Sequence, residues 1–500
     1  MARKVSAWHP TPRQVAIVIA FLAVFAISVR VSVDGDTWWH LLAGRWMIEH
    51  HRVLTRDTFS WTRAGAPWTD HSWLSEIGLF LVWARWGFAG LNLATATLAV
   101  VTWGIVYIQS RGSLYLRASV VVLAAWASAF YAVARPELVS LVLFSTFAYV
   151  LDLFRWRGIN RLWVLPPVMC AWVNLHGGFV AGFLLLGLTL AGQAASWILG
   201  QRGPGVVKPP DMIRLIIITL ACAAATLVTP YGVDALLEPL RTLSIPFLHT
   251  FITEWQSPDF HVADTHGFVA LLLVTIAALG LSRRRIDVTD LLLVSACMVL
   301  ALDALRHIPL FAVITVPVIV RHGSAAVERG RRACLRLAPA AGGVVKPVVL
   351  WAVLTTCTVA AFTYVAPFLS PAVNVERIAR TLPLGAVQYI RSTRPPGRMF
   401  NSYRWGGYLA WALQPVYRVY VDGRTDLYGG QFLETYVHIW TGAPEWRTIF
   451  RQEGIRVVVI ARDAPLAFQL RNEPGWREGY SDGLASVFVA TGPDTAGRGP

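Results

Sequence analysis

Long apolar runs separated by short polar corners dominate the chain. The first run covers 14–33, and ten more follow at 88–110, 118–134, 137–154, 162–175, 178–200, 212–228, 267–282, 288–305, 308–320 and 347–368. A helix needs roughly 20 apolar residues to cross the hydrocarbon core. The pattern therefore predicts an α-helical polytopic membrane protein with about 11 transmembrane helices. Two runs, 162–175 and 308–320, are about 14 and 13 residues long, and their shortness predicts a water-filled recess at their polar ends. The first run follows a short basic segment and reaches Asp34 without a small-residue cleavage site, so it reads as a retained helix rather than a signal peptide. Segment 72–85, SWLSEIGLFLVWAR, is too short to cross and carries Glu76 and Arg85, which predicts an interfacial helix inside a first outer loop, 34–87. After 368 the pattern changes. β-branched runs at 418–421 and 456–460 alternate with helical stretches at 432–440 and 446–453, predicting a small extracytoplasmic α/β domain, 369–500, behind a transmembrane domain, 1–368.

Composition agrees with this pattern: 55% of the 500 residues are hydrophobic and 15% charged, against about 25% charged in a soluble domain. The net charge of +15 would suggest nucleic acid in a soluble chain, but here it follows the loops. With the N-terminus cytoplasmic, the inner loops hold nineteen basic residues, from Arg3 and Lys4 through Arg283, Arg284 and Arg285 to Arg336 and Lys346. The outer loops before the tail hold eight. This asymmetry predicts a cytoplasmic N-terminus, an extracytoplasmic C-terminus, contact with membrane lipids and no nucleic-acid partner. Cys170, Cys222, Cys297, Cys334 and Cys357 are scattered without CxxC spacing, which argues against disulfides or a thiolate metal site.

The unusual polar residues gather at the outer corners. Asp34, Asp36 and His40 follow the first span; Arg135 with Glu137, Asn174 with His176, Glu254 with Asp259, and Arg306 with His307 mark later corners. Two carboxylates two residues apart suit proton transfer, one pKa being raised by the other, or they suit a hard divalent cation. The same pattern also fits a solvated helix terminus. Trp38 and Trp39 belong to a Trp-rich loop that reads either as an interfacial aromatic belt or as plates for sugar rings.

The segments DGDTWWHLLAGRWMIEH (34–50) and RDTFSWTRAGAPWTDHSWLSEI (56–77) resemble a family of bacterial polytopic membrane proteins related to the GT-C superfamily of glycosyltransferases. Arg135-Pro136-Glu137, Trp172 to Gly178, Pro230-Tyr231-Gly232, Glu254-Trp255, Arg306-His307, Trp405 to Tyr408 and Asp422-Gly423-Arg424 extend the resemblance over most of the chain. The resemblance implies an outward-facing active site at the first loop, a catalytic Asp just beyond the first helix, a polyprenyl-phosphate-linked sugar donor and a soluble domain after the last span. It carries the Asp role onto Asp34 or Asp36. The Asp-Gly-Asp spacing departs from the acidic pair of protein O-mannosyltransferase-like members and is closer to the metal-binding pattern of oligosaccharyltransferase-like ones, so Mg or Mn at Asp34 and Asp36 is the cofactor it leaves open.

The expected activity is sugar transfer to an extracytoplasmic hydroxyl of a glycan, lipid or protein, with inversion, in the bacterial cytoplasmic (inner) membrane. Asp36 is the first choice of base and Asp34 the second. Arg135 and Arg306 are assigned to the donor phosphate, because guanidinium forks match phosphate oxygens. Trp38, Trp39, His40, His71, Asn174, His176, Glu254 and His307 are the expected substrate contacts. In the tail, Tyr408, Asp422 and Arg424 read either as acceptor contacts or as scaffolding. Two other classes fit the same pattern: a flippase or transporter of lipid-linked sugars, and a non-catalytic cell-envelope assembly subunit. Clustering of ionisable groups at one face, away from mid-bilayer, favours the enzyme over a carrier.

Overall fold

The computed structural model describes residues 9–31, 34–335 and 346–491. Arg3, Lys4, Arg336 and the end of the first apolar run at Val33 lie outside the described residues. Each predicted span coincides with a helix. Helix α1 (Pro12–Ser28) opens with a capping box in which Thr11 and Gln14 satisfy each other's backbone N–H groups. Helix α2 (Asp36–His50) and helix α3 (Trp73–Gln109) follow. At Gly87, with φ 56° and ψ −142°, α3 breaks into the expected interfacial segment and the span behind it. Six described helices are long and apolar enough to cross a membrane, and Pro12–Ser28, Leu114–Ala127 and Leu162–Leu175 are shorter apolar ones. Outward faces are greasy: Leu273 and Ile276 on one of these helices and Val359 and Phe362 on another are exposed, as lipid contact requires. The chain is a multi-pass membrane protein.

The short-span reading holds for one segment and fails for the other. The 162–175 run is a 3₁₀ turn followed by the helix Leu165–Leu175. The helix beginning at Ile308, by contrast, continues to Leu335. Arg321 does not end it, because its charge is met inside the bundle: it pairs with Asp290, lies 3.4 Å from Asp152 and stacks over the Trp156 ring. Arg155 pairs with Asp287 and Asp290 in the same network, which ties three helices together at the end away from the first loop.

The tail carries a four-stranded mixed sheet, β1 (Arg398–Asn401), β2 (Ile455–Ala461), β3 (Trp476–Ser481) and β4 (Ala485–Ala490), in the order β1-β2-β4-β3. The run 456–460 is strand β2, and the expected helices appear at Gly430–Trp440 and Trp446–Glu453. The run 418–421 does not join the sheet. Val419 instead bridges Ser60 of the first loop, accepting from Trp61 N–H and donating to Phe59 O. Loop and tail also share one core, in which Trp38, Leu41, Leu42 and Phe59 pack with Leu409, Leu413, Val419, Val457 and Val487. Tail and first loop are therefore one packed body.

Candidate functional site

The site forms where α2 begins. Asp36 N–H donates to Asp34 Oδ1 at 3.1 Å, so the aspartate before the helix caps its first free amide. Asp36 itself occupies the first helical turn, where a carboxylate complements the helix dipole. Between them Gly35 touches the tail: a Cβ there would lie 2.1 Å from the Arg404 carbonyl oxygen. Trp39 Nε1–H, one turn on, donates to Asp36 Oδ1 at 3.2 Å.

Arg135 is the hub. Its Nη1 donates to Asp34 Oδ2 at 2.9 Å and Asp36 Oδ2 at 3.4 Å, and its Nη2 donates to Glu137 Oε1 at 2.7 Å and Glu254 Oε2 at 2.8 Å. One guanidinium thus holds four carboxylates from three corners that are distant in sequence. Arg135 and Glu137 form the floor, with side chains 10% and 15% exposed, whereas Asp34, Asp36 and Glu254 form a rim at 26%, 34% and 33%. The rim carboxylates are within reach of a solute. Burial and the neighbouring Asp34 carboxylate push the Asp36 carboxyl well above the usual range, against the pull of Arg135. A carboxylate raised in this way is a stronger proton acceptor than a free one.

Arg306 stacks on Trp255 at 4.2 Å and has no ion pair among the described residues. Trp255 follows Glu254 directly, so a free cation and the acidic rim share one corner. Arg135 departs from its expected role, because both of its terminal nitrogens are on carboxylates rather than open to a phosphate. The proposed cation site also lacks support. Among the described residues no three carboxylate, His or Cys side chains are arranged to hold a metal ion; Asp34 and Asp36 turn oxygens onto Arg135, which stands where a cation would.

Several expected substrate contacts are framework. Trp38 is 5% exposed and packs edge-on against Trp83, Phe88 and Tyr408; Trp39, 6% exposed, lies between His40 and Trp68. Neither offers a face to a sugar. Asn174 is spent on Trp73 Nε1 and on the Cys170 and Val228 carbonyls. His176 accepts from Gly178 N–H at Nδ1, which also meets Ser140 Oγ at 2.7 Å, and the His71 ring lies 5.7 Å away. His40 is buried on Glu76. His307 Nδ1 lies 3.2 Å from the Leu300 carbonyl.

The tail closes the site from above. Arg424 lies 2.7 Å from Asp57 of the first loop and forks onto Asp422 at 2.9 and 2.6 Å, all three side chains being fully enclosed. The acceptor role for Asp422 and Arg424 fails on that burial. Gly423 between them rests on Asp36, and Tyr403 bonds Thr425 Oγ1 at 2.7 Å beside it. The sequence marks Glu137 as a polar corner residue beside Arg135 and places Asp70 and Glu76 in the first loop, but assigns none of them, nor Tyr403, a role in the site.

No protein-family model matches the chain, and no curated protein matches it in sequence. Solved structures do resemble it. The archaeal oligosaccharyltransferase AglB from Archaeoglobus fulgidus, in complex with an inhibitory peptide and a dolichol-phosphate, is 12% identical with a TM-score of 0.58 over 90% of this chain and 69% of that one. ArnT from Cupriavidus metallidurans in the apo state is 13% identical with a TM-score of 0.53 over 94% and 96%. At such identities the likeness is one of fold alone.

Proposed function

We propose that this chain is a membrane glycosyltransferase that moves a sugar from a polyprenyl-phosphate donor to an extracytoplasmic hydroxyl, with inversion. The observation that carries the reading is the partly exposed Asp34–Asp36 rim, fixed by Arg135 at the start of α2, with Arg306 free beside it. The GT-C fold and the dolichol-phosphate in the AglB complex support the donor class. The basic-residue asymmetry supports a cytoplasmic N-terminus and a site on the outer face of the membrane.

In this reading Asp36 takes the proton of the acceptor hydroxyl as the oxygen attacks the anomeric carbon. The bond from that carbon to the phosphate oxygen breaks on the opposite face, which inverts the centre. The electron pair leaves on the lipid phosphate, where Arg306 offsets the growing charge. Arg135 and Glu137 keep Asp36 aimed. No step passes through a metal ion. Purified protein in lipid nanodiscs, offered a panel of polyprenyl-phosphate sugars and candidate acceptors, should release polyprenyl phosphate with at least one donor. Transport of intact donor across sealed liposomes without release of lipid phosphate supports a carrier instead.

A further inference from the structure

Below the rim, a second ionisable chain runs through the first loop, and no step above uses it. His40 Nδ1 lies 2.7 Å from Glu76 Oε1, with both side chains buried. Ser72 N–H donates to Asp70 Oδ1 at 3.1 Å. That leaves Asp70 Oδ2 and Glu76 Oε2, both enclosed and without a donor, while the two carboxyls stand in hydrogen-bonding contact with each other. Asp70 is 1% exposed and Glu76 0%. Ionised carboxylates only accept hydrogen bonds, so two bare ones cannot bond; they repel, most strongly where water is absent.

We propose that Asp70 and Glu76 share one bound proton, and that this pair anchors His40 and, through the Trp39 ring, the candidate base Asp36. The remaining Glu76 oxygen accepts from His40 Nδ1–H, which fixes the tautomer. Burial pushes His40 below its usual range and Asp70 above its own, consistent with a neutral imidazole on a pair that keeps its proton. The His40 ring lies 3.6 Å from that of Trp39, and Trp39 Nε1–H holds Asp36. The chain is therefore continuous from Asp70 to the rim. Other titratable or charged groups facing the pair are His71 from the loop, Arg424 and Asp426 from the tail, and the Tyr231 phenol. Asp426 itself accepts from Trp68 Nε1–H, and Tyr231 donates to the Leu54 carbonyl.

The shared proton stands on the buried cluster and its two unpartnered oxygens, whereas its effect on transfer rests on the glycosyltransferase reading. Infrared spectroscopy of the purified protein separates the two, because it needs no turnover. The wild type should show a protonated-carboxyl stretching band that persists at neutral pH. Asp70→Asn and Glu76→Gln should each abolish it, since one amide replaces the shared proton. In transfer assays Asp70→Ala should lower kcat about tenfold or more with the donor KM little changed. Asp70→Asn, whose amide donates permanently, should restore the rate and carry activity to higher pH than the wild type. Absence of the band, its survival in both amide variants, or an alkaline limb unmoved by Asp70→Asn overturns the proposal.

Discussion

Gly423 rests directly on the Asp36 carboxylate: a methyl group on its Cα would fall 1.8 Å from Asp36 Oδ1. The tail thus supplies one wall of the candidate active site. Gly423→Ala must push the carboxylate off Arg135 and Trp39, and displacement on that scale costs about 100-fold in rate. Assays at saturating donor should show this loss in kcat, with donor affinity near that of the wild type.

Arg424 supports that wall from inside, paired with Asp57 and Asp422 and lying over the Phe59 and Trp68 rings. Removing it leaves Asp57 and Asp422 buried without their cation, for which the expected cost is about 3–5 kcal/mol. Arg424→Ala should therefore lower the unfolding midpoint in detergent sharply, with loop and tail losing order together. A variant of wild-type stability contradicts the clamp.

The raised pKa of Asp36 gives a signed pH dependence. Transfer requires the ionised form, so the acid limb of kcat/KM should lie above the range of a free aspartate. Glu254→Gln removes a repelling carboxylate and should move that limb to lower pH. The stability sign is opposite. A carboxyl whose folded pKa is raised stabilises the fold below its unfolded pKa, and that contribution is lost as pH rises through the folded value. Asp36→Asn should therefore leave stability at neutral pH unchanged or slightly higher. A cooperative loss of stability in Asp36→Asn would falsify the electrostatic picture of the rim.

Orientation is testable by tags. Those at Arg111, Arg157 and Arg284 should be cytoplasmic, and those near Asp57, Asp259 and the C-terminus extracytoplasmic. Protection of the tail in intact spheroplasts, with folding verified, reverses the scheme and places the site on the other face.

The membrane helices were legible because burial in lipid demands continuous apolar runs, which a single sequence displays. Even the break at Gly87 was visible, as charges at Glu76 and Arg85. The 308–320 run misled because Arg321 looks like a span end until Asp290 and Asp152, over 30 residues away, are seen to meet it. The tail was harder. Strand β1 has four residues and no alternation, and the 418–421 run pairs with the loop at Ser60, a partner far away in sequence. In the site, Asp34, Asp36 and Arg306 were accessible from topology. The hub role of Arg135 was not, since an arginine at a helix corner reads the same whether it awaits a phosphate or four carboxylates. Trp38 and Trp39 read as ligand plates because sequence shows aromatic density but not what covers it.

The most direct measurement uses wild type and Asp36→Asn side by side in nanodiscs, following both binding of a polyprenyl-phosphate sugar and its transfer. Near-identical donor binding, with transfer present in the wild type and absent in Asp36→Asn, is the predicted result. Transfer by Asp36→Asn at the wild-type rate contradicts the assignment of Asp36 as the base.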